Sequence, residues 1–384
     1  MIHKVPRRAR PLLLAALLVT ACQPTVRERL PPGDYTPRED SHVLPAPPGQ
    51  EDALHREALR RAQVRLPPPR PPSEADLSRN PPEPDGFRET DVIDCRFVLK
   101  ASEGFTPKFQ CVRAGGDIVR VKYGRKNPEV FGEVAATRLL SALGYGADRM
   151  YVVDKVRCFG CPPFPYPKVG ILDALLMDPN KVTVFETAVI ERRLPGQDIR
   201  GASVRGWGFN ELDVIDPSVG GAPREEVDAF RLLAAFLVNW DSKPTNQRLV
   251  CLPGGDPPRP DAPCLKPLAI MQDVGRAFGP REMDLERWAA TPVWADPATC
   301  LLSMKGLPYD GATFNDVRIG EGGRRLLAGL LTSLSEDQIR GLFAGARFPE
   351  FLRQSAPGRD PDNWVRAFQG RVRQIADRPP CPTP

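Results

Sequence analysis

Two short motifs in this chain could carry chemistry: Asp241-Ser242-Lys243-Pro244-Thr245-Asn246 and, after a short gap, Gln272-Asp273-Val274-Gly275. As patterns they are D-x-K-P-x-N followed by D-x-G. Moving a phosphoryl group asks a protein for little covalent work. It needs a carboxylate at the attacking hydroxyl and oxygen ligands that hold a metal ion on the phosphates. The two motifs supply a carboxylate, an Asn and an Asp, in that order. Asp, Ser, Pro and Asn are also turn formers, so the first motif alone reads equally as a surface turn. What distinguishes it is its setting, with a strand pattern following it and the D-x-G at hairpin distance.

Other chemistries are excluded by composition. The three histidines, His3, His42 and His55, all precede Gly86. A Ser-His-Asp triad, a Cys-His pair and His-ligated zinc are therefore absent from the rest of the chain. The catalytic tools left are carboxylates, Lys, Arg, Tyr and hydroxyls. A net charge of +5 over 384 residues is too small and too dispersed to imply nucleic acid.

The elements that must position the motifs can be read from periodicity. Strands are predicted over 95–100, 108–112 and 118–123, the last two joined by a turn at Gly115-Gly116-Asp117. A helix follows over 128–143, with apolar residues at helical spacing and Gly144 as its stop. Further strands are expected over 150–153 and 182–190, broken by Glu191-Arg192-Arg193-Leu194-Pro195-Gly196. The second half turns helical. An apolar helix over 225–239 leads into Asp241, short strands 247–252 and 268–272 flank the exit from that loop, and helices follow over 322–334, 336–344 and 362–376. Ser335 with Gln338 forms a capping box.

From about Cys95 to Arg373 this arrangement resembles the protein-kinase-like superfamily, most of all its divergent exported or atypical branches, such as the HipA-like, spore-coat and secretory-pathway kinases. The resemblance implies an α+β, bilobal fold: a small antiparallel sheet with one helix as N-lobe (91–194) and a mainly helical C-lobe (195–384). It implies that Asp241 orients the acceptor hydroxyl and that Lys243 steadies the transferring group. Asn246 and Asp273 would hold Mg²⁺ or Mn²⁺. Lys122 would grip the phosphates of ATP or another nucleotide, paired with Glu133; Glu129, one helical turn away, faces the same way. Gly104 would belong to a phosphate-covering loop over 102–105, and Glu191 to Leu194 would be the hinge beside the base. The chain departs from the family in having Asn239-Trp240 before the catalytic Asp, a single glycine in the covering loop, and no Ala-Pro-Glu unit after Asp273. These departures bear on peptide recognition and loop regulation rather than on metal and phosphate chemistry. The acceptor would be a hydroxyl of a protein, sugar or lipid headgroup. The alternative is a kinase-fold binding module without catalysis.

The N-terminal residues point to export. Lys4, Arg7, Arg8 and Arg10 precede an apolar run, Leu12 to Val19, too short to span a bilayer. Val19-Thr20-Ala21-Cys22 resembles a bacterial lipobox, making 1–21 a lipoprotein signal and Cys22 the lipidated first mature residue. Gln23 rather than Asp favours the outer membrane in a diderm cell, with the protein lipid-anchored in the envelope and facing the periplasm. Residues 22–90, rich in Pro, are expected to be an extended tether. Cys22 apart, eight cysteines remain, an even set suited to an oxidising compartment. Sequence does not fix their connectivity. Pairing neighbours gives Cys95 with Cys111, Cys158 with Cys161 and Cys251 with Cys264, and leaves Cys300 for Cys381. Cys158-Phe-Gly-Cys161 could also be half a zinc site or a redox unit, but a second C-x-x-C is absent.

Overall fold

The computed structural model describes residues 25–38, 42–100, 104, 106–166, 177–307 and 312–382. The expected signal peptide, Cys22, Ser102 and Phe105 lie outside the described residues. The fold is mixed α+β, with strands concentrated before residue 200 and helices after it.

Three strands form where apolar residues alternate: β2 (Val92–Val98), β3 (Lys108–Val112) and β4 (Ile118–Tyr123), after a short β1 (Thr25–Arg27). Gly115 and Gly116 take φ of 90° and 83° in the β3–β4 turn, a region open to glycine at little cost. The chain then forms α2 (Glu129–Ala142), β5 (Arg149–Val153), β6 (Lys155–Phe159), β7 (Lys181–Phe185) and β8 (Ala188–Arg192), α1 being an earlier helix, Glu51–Arg60. The sheet differs from the small antiparallel one expected. It has eight strands in the order β1-β7-β6-β2-β3-β4-β8-β5, and β2 pairs with β6 in parallel. The segment expected as one strand over 182–190 is β7 and β8, separated only by Glu186 and Thr187, while β5 passes into β6 across Asp154 alone. Each long run therefore bends and serves both sides of a sheet curled over its own core. Phe109, Tyr123 and Phe185 fill that core, with ring centroids 4.7–5.7 Å apart.

The four disulfides join the pairs expected, Cys95–Cys111, Cys158–Cys161, Cys251–Cys264 and Cys300–Cys381. With both its cysteines in one disulfide, the C-x-x-C unit has no thiolate for zinc.

A second, larger core joins α2 to the C-terminal helices α3 (Arg224–Leu237), α4 (Leu285–Ala290), α5 (Glu321–Thr332), α6 (Glu336–Gly345) and α7 (Pro361–Ala376). A three-stranded sheet lies beside them, with β10 (Gln247–Cys251) between β9 (Gln197–Asp198) and β11 (Pro267–Met271). The Ser335–Gln338 capping box is present. No helix among the described residues is long and apolar enough to cross a membrane.

The expectation of an extended tether over 22–90 fails from the first described residues onward, since Thr25–Arg27 pairs with β7 and Tyr35 is buried. Ala58, Leu59, Ala62, Val64 and Leu77 are buried in the larger core, and Phe87 in the sheet core. The strap bonds to both parts of the molecule. Gln63 exchanges backbone bonds of 2.9 and 2.8 Å with Pro267 and Ala269 of β11, and the Asn80 side chain pairs with the backbone of Val152 in β5. Proline richness made the average composition look unable to bury a core. The apolar residues between the prolines are few, but each is placed against existing apolar surface. If so, Leu59→Ala should cost about 2–5 kcal/mol in urea unfolding of the oxidised domain, as at other buried leucines. A tether residue would cost nothing measurable.

Candidate functional site

Alternation along β4 sends Val119, Val121 and Tyr123 into the sheet core and Arg120 and Lys122 to the opposite face, where α2 packs. Lys122 is buried there, and its ammonium donates to Glu133. It also lies 3.3 Å from Glu129 and 3.2 Å from Glu191. Sequence reasoning favoured one helix carboxylate. The structure uses both, one turn apart, and adds Glu191 from β8. Glu191 was expected in a hinge. It is instead a strand residue, because the strand runs to Arg192, and its two oxygens are divided between Arg120 at 2.6 Å and Lys122.

The electrostatics follow from crowding. Four carboxylates, Glu129, Glu133, Glu191 and Asp273, interact with Lys122, Arg120 and Lys108, so acidic groups outnumber cations by one. Burial works against the charged form of Lys122, but Glu133, Glu191 and Glu129 together raise it well above the usual range for lysine. Burial drives the Glu133 carboxyl well above its ordinary value, with Asp273, Glu191 and Glu129 reinforcing and Lys122 opposing. Burial would also raise Glu191, yet Arg120 and Lys122 pull it down to about 2. Asp273 is raised by burial and then by Glu129, against Lys122 and Lys108.

The two motifs meet through the backbone. Helix α3 ends at Val238, which takes a left-handed φ of 57°, uncommon for a β-branched residue, and this turns the chain toward Asp241. Residues 244–246 make a short 3₁₀ turn. The Asn246 side-chain amide donates to the Asp241 carbonyl at 2.9 Å, and the Asn246 carbonyl accepts the N–H groups of Gln272 and Asp273, both at 3.0 Å. Lys243 lies 3.5 Å from the half-buried Asp241 carboxylate. Ser242, fully buried, accepts the amides of Thr313 and Phe314 at 3.1 and 3.2 Å and so fastens a later loop to this one.

The D-x-G loop also touches α2. A methyl group placed on Gly275 would stand 2.3 Å from the Glu129 Cγ, so the glycine lets the loop pass beneath that side chain. Gly104 lies at the edge of the cluster, where a methyl group placed on it would stand 3.1 Å from the Lys108 ammonium. It is exposed with φ +94°, and its carbonyl accepts the Tyr166 hydroxyl.

Sequence reading missed Arg120, Lys108 and Arg371. Arg371 is buried and donates to the carbonyls of Phe236, Ala235, Trp288 and Thr291, holding the C-terminal end of α3 from which the Asp241 loop departs. Burial lowers it to about 9. The alternation of β4 could have placed Arg120 beside Lys122. Nothing local marked Arg371, which lies in an amphipathic helix among other arginines.

No family model and no curated protein matches this chain. Among solved structures it is similar to the crystal structure of a Helicobacter pylori proinflammatory kinase, CtkA, at 13% identity over 75% of this chain and 96% of that one, with a TM-score of 0.39. A likeness that weak carries no argument about the site, which rests on its own geometry.

The Gly275–Glu129 contact can be tested alone. Gly275→Ala should destabilise the domain by about 1–3 kcal/mol through overpacking, and by clearly less in a Glu129→Ala background. An equal cost in both backgrounds, measured as a double-mutant cycle in urea, would remove the contact from the account.

Proposed function

We propose that this protein is a metal-dependent phosphotransferase of the protein-kinase-like type, moving a phosphoryl group from a nucleotide to a hydroxyl of a protein, sugar or lipid headgroup. The observation that carries the reading is the joint arrangement of Lys122, paired with Glu133 from α2, and Asp273, whose backbone is bonded to the same Asn246 that holds the Asp241 loop. These are the groups that grip phosphates, hold metal and receive the hydroxyl.

The residues fit a hard divalent cation such as Mg²⁺ or Mn²⁺. Asp273 and the Asn246 side chain offer oxygen donors, and a bound cation would favour the ionised form of Asp273 against the burial that raises it. Among the described residues no group of three or more acidic, His or Cys side chains is poised to hold a metal. The remaining ligands would thus come from phosphate oxygens and water, the usual habit of Mg²⁺. A bound cation would supply charge neutralisation on the phosphates. Lys122, once a phosphate competes with its three carboxylates, would orient the donor. Asp241 would take the acceptor proton, and Lys243 would stabilise charge on the transferring group.

The domain should bind ATP only with Mg²⁺ or Mn²⁺, and Asp273→Ala should abolish that binding. Asp241→Asn should retain binding and lose about 10²-fold or more of transfer to an envelope extract. Absent or metal-independent binding would count heavily against the reading. Binding with equal, background transfer by both proteins would favour a non-catalytic module, a role consistent with a lysine already engaged by three carboxylates.

We also propose that the protein is exported and anchored through a lipidated Cys22, facing the periplasm, in the outer membrane of a diderm cell. The basic and apolar residues before Cys22 and the four disulfides support this. Cys22→Ala should move the protein out of the detergent-extracted membrane fraction. An unchanged distribution, with no lipid mass on the N-terminal peptide, would refute anchoring.

A further inference from the structure

The folded chain begins close to Cys22. Strand β1 forms the edge of the eight-stranded sheet and pairs with β7 from its first residue, with Thr25 opposite Thr183 and Arg27 opposite Lys181. Only Gln23 and Pro24 stand between Cys22 and this strand. Three residue steps span at most about 10 Å, even fully extended. Nor is β1 followed by a spacer. The Glu28 amide donates to the Asn180 carbonyl at 2.9 Å, and its carboxylate meets Arg157 of β6 at 2.5 Å. Gly115 and Gly116, in the β3–β4 turn, donate to the Asp34 carbonyl at 2.7 and 3.1 Å, and Arg96 of β2 donates to that of the buried Tyr35 at 2.5 Å. Freeing β1 to act as slack would break these bonds as well as its own.

Register fixes the side from which the chain arrives. Because β1 runs antiparallel to β7, it is entered from the side on which β7 continues to Val184 and Phe185 and ends before Glu186. Strands β6 and β2 start on that side, with Phe185 opposite Val156 and Lys155 opposite Val92. Val92, Asp154, Lys155 and Glu186 therefore form a rim of the sheet. Val92 is apolar yet exposed, as is Val26 on β1. Lys155 has Asp154 at 3.3 Å, so the rim carries little unbalanced positive charge. Two exposed valines would mean nothing by themselves. The shortness of the chain to Cys22 is what gives them an occupant.

We propose that this rim lies against a phospholipid surface, so that the domain is docked on the bilayer instead of being suspended above it. The inference rests on the anchoring of Cys22 proposed above and is independent of the phosphotransferase reading. Two valines bind lipid weakly from solution. A leash of about 10 Å makes the contact intramolecular, at an effective concentration of millimolar order, where a small apolar patch is enough. Strand β4, which carries Lys122, is five strands from β1, about 24 Å along the sheet. Docking at the rim thus sets the height of the Lys122 cluster over the lipid.

The test uses the full-length lipidated protein in phosphatidylethanolamine–phosphatidylglycerol vesicles with brominated acyl chains. The five native tryptophans all follow residue 200 and are buried, so an added surface tryptophan reports its own surroundings. Val26→Trp and Val92→Trp should each be quenched by the bromolipid and protected from iodide in the water. Asp261→Trp, exposed on the loop between β10 and β11, should show the reverse. Inserting about 20 Gly and Ser residues between Pro24 and Thr25 should lower the ratio of docked to undocked protein about tenfold or more. Should one rim variant fail to fold, the other carries the same expectation. Iodide-accessible tryptophans at both rim positions of a lipidated protein overturn this inference and leave anchoring standing. Protection from iodide without bromolipid quenching means that a second copy or another protein covers the rim, and overturns it too. Undiminished quenching with the lengthened leash overturns the part assigned to the leash. An N-terminal peptide without lipid mass overturns anchoring and this inference together.

Discussion

Lys122 is the point on which the structure turns. A buried ammonium is tolerated only with compensating charge and hydrogen bonds. Its partners come from separate parts of the chain: Glu129 and Glu133 from α2, and Glu191 from β8. Satisfying one side chain thus fixes the helix against the sheet and the order of strands within it. The compensation overshoots, leaving more carboxylates than cations at the mouth of the D-x-G loop. Replacing such a buried ionic cluster with packed apolar residues would often be neutral or stabilising. The cluster is therefore poorly explained by stability alone, and the proposed metal ion beside Asp273 is what its surplus of carboxylates would serve.

The Asp241 loop is positioned by a different device, relying on backbone bonds and one arginine. Arg371 collects carbonyl groups at the end of α3, where unpaired acceptors accumulate and the helix dipole favours positive charge. With that end fixed, the left-handed Val238 directs the chain outward. Asn246 then joins the loop to Gln272 and Asp273 through its carbonyl and to Asp241 through its amide. The geometry between Asp241 and Asp273 is held by neutral groups whose state does not change with pH or ligand charge. The charged side chains remain available to respond to a ligand.

The sequence made the site's residues visible because chemistry restricts residue type. D-x-K-P-x-N and D-x-G stand out as patterns, while the strand lysine and the helix glutamate are singled out only through the resemblance that those patterns suggest. It also made the helices visible, since α2, α3, α5, α6 and α7 each lie within a residue or two of the periodic segments. What it hid depended on long-range closure. A bend at Glu186-Thr187 has no distinctive composition, so β7 and β8 read as one strand. Glu191 read as linker because the Pro195-Gly196 break drew the boundary too early. The strap over 42–90 was hidden for the opposite reason. Its prolines dominate the composition, while its burial depends on a handful of residues such as Leu59, Val64 and Phe87, which gain meaning only against surfaces supplied by other segments.

That strap alters how the cleft should be understood. Val43 bridges to Asp198, the carboxylate that also gathers Arg193, Arg200 and Arg248, and Leu44 donates to the Asp198 carbonyl at 2.9 Å. Further along, Arg138 of α2 donates to the carbonyls of Leu77 and Ser78 and to the side chain of Asn80, while Gln338 of α6 donates to those of Pro72 and Ala75. One segment therefore touches β9, the helix that carries Glu129 and Glu133, and the C-terminal helices. Moving α2 away from the sheet would break those contacts together, at the cost of exposing several buried groups at once. In this chain α2 is tied to the strap through Arg138 and to the sheet through the Lys122–Glu133 pair, so contacts on two sides fix that helix in place.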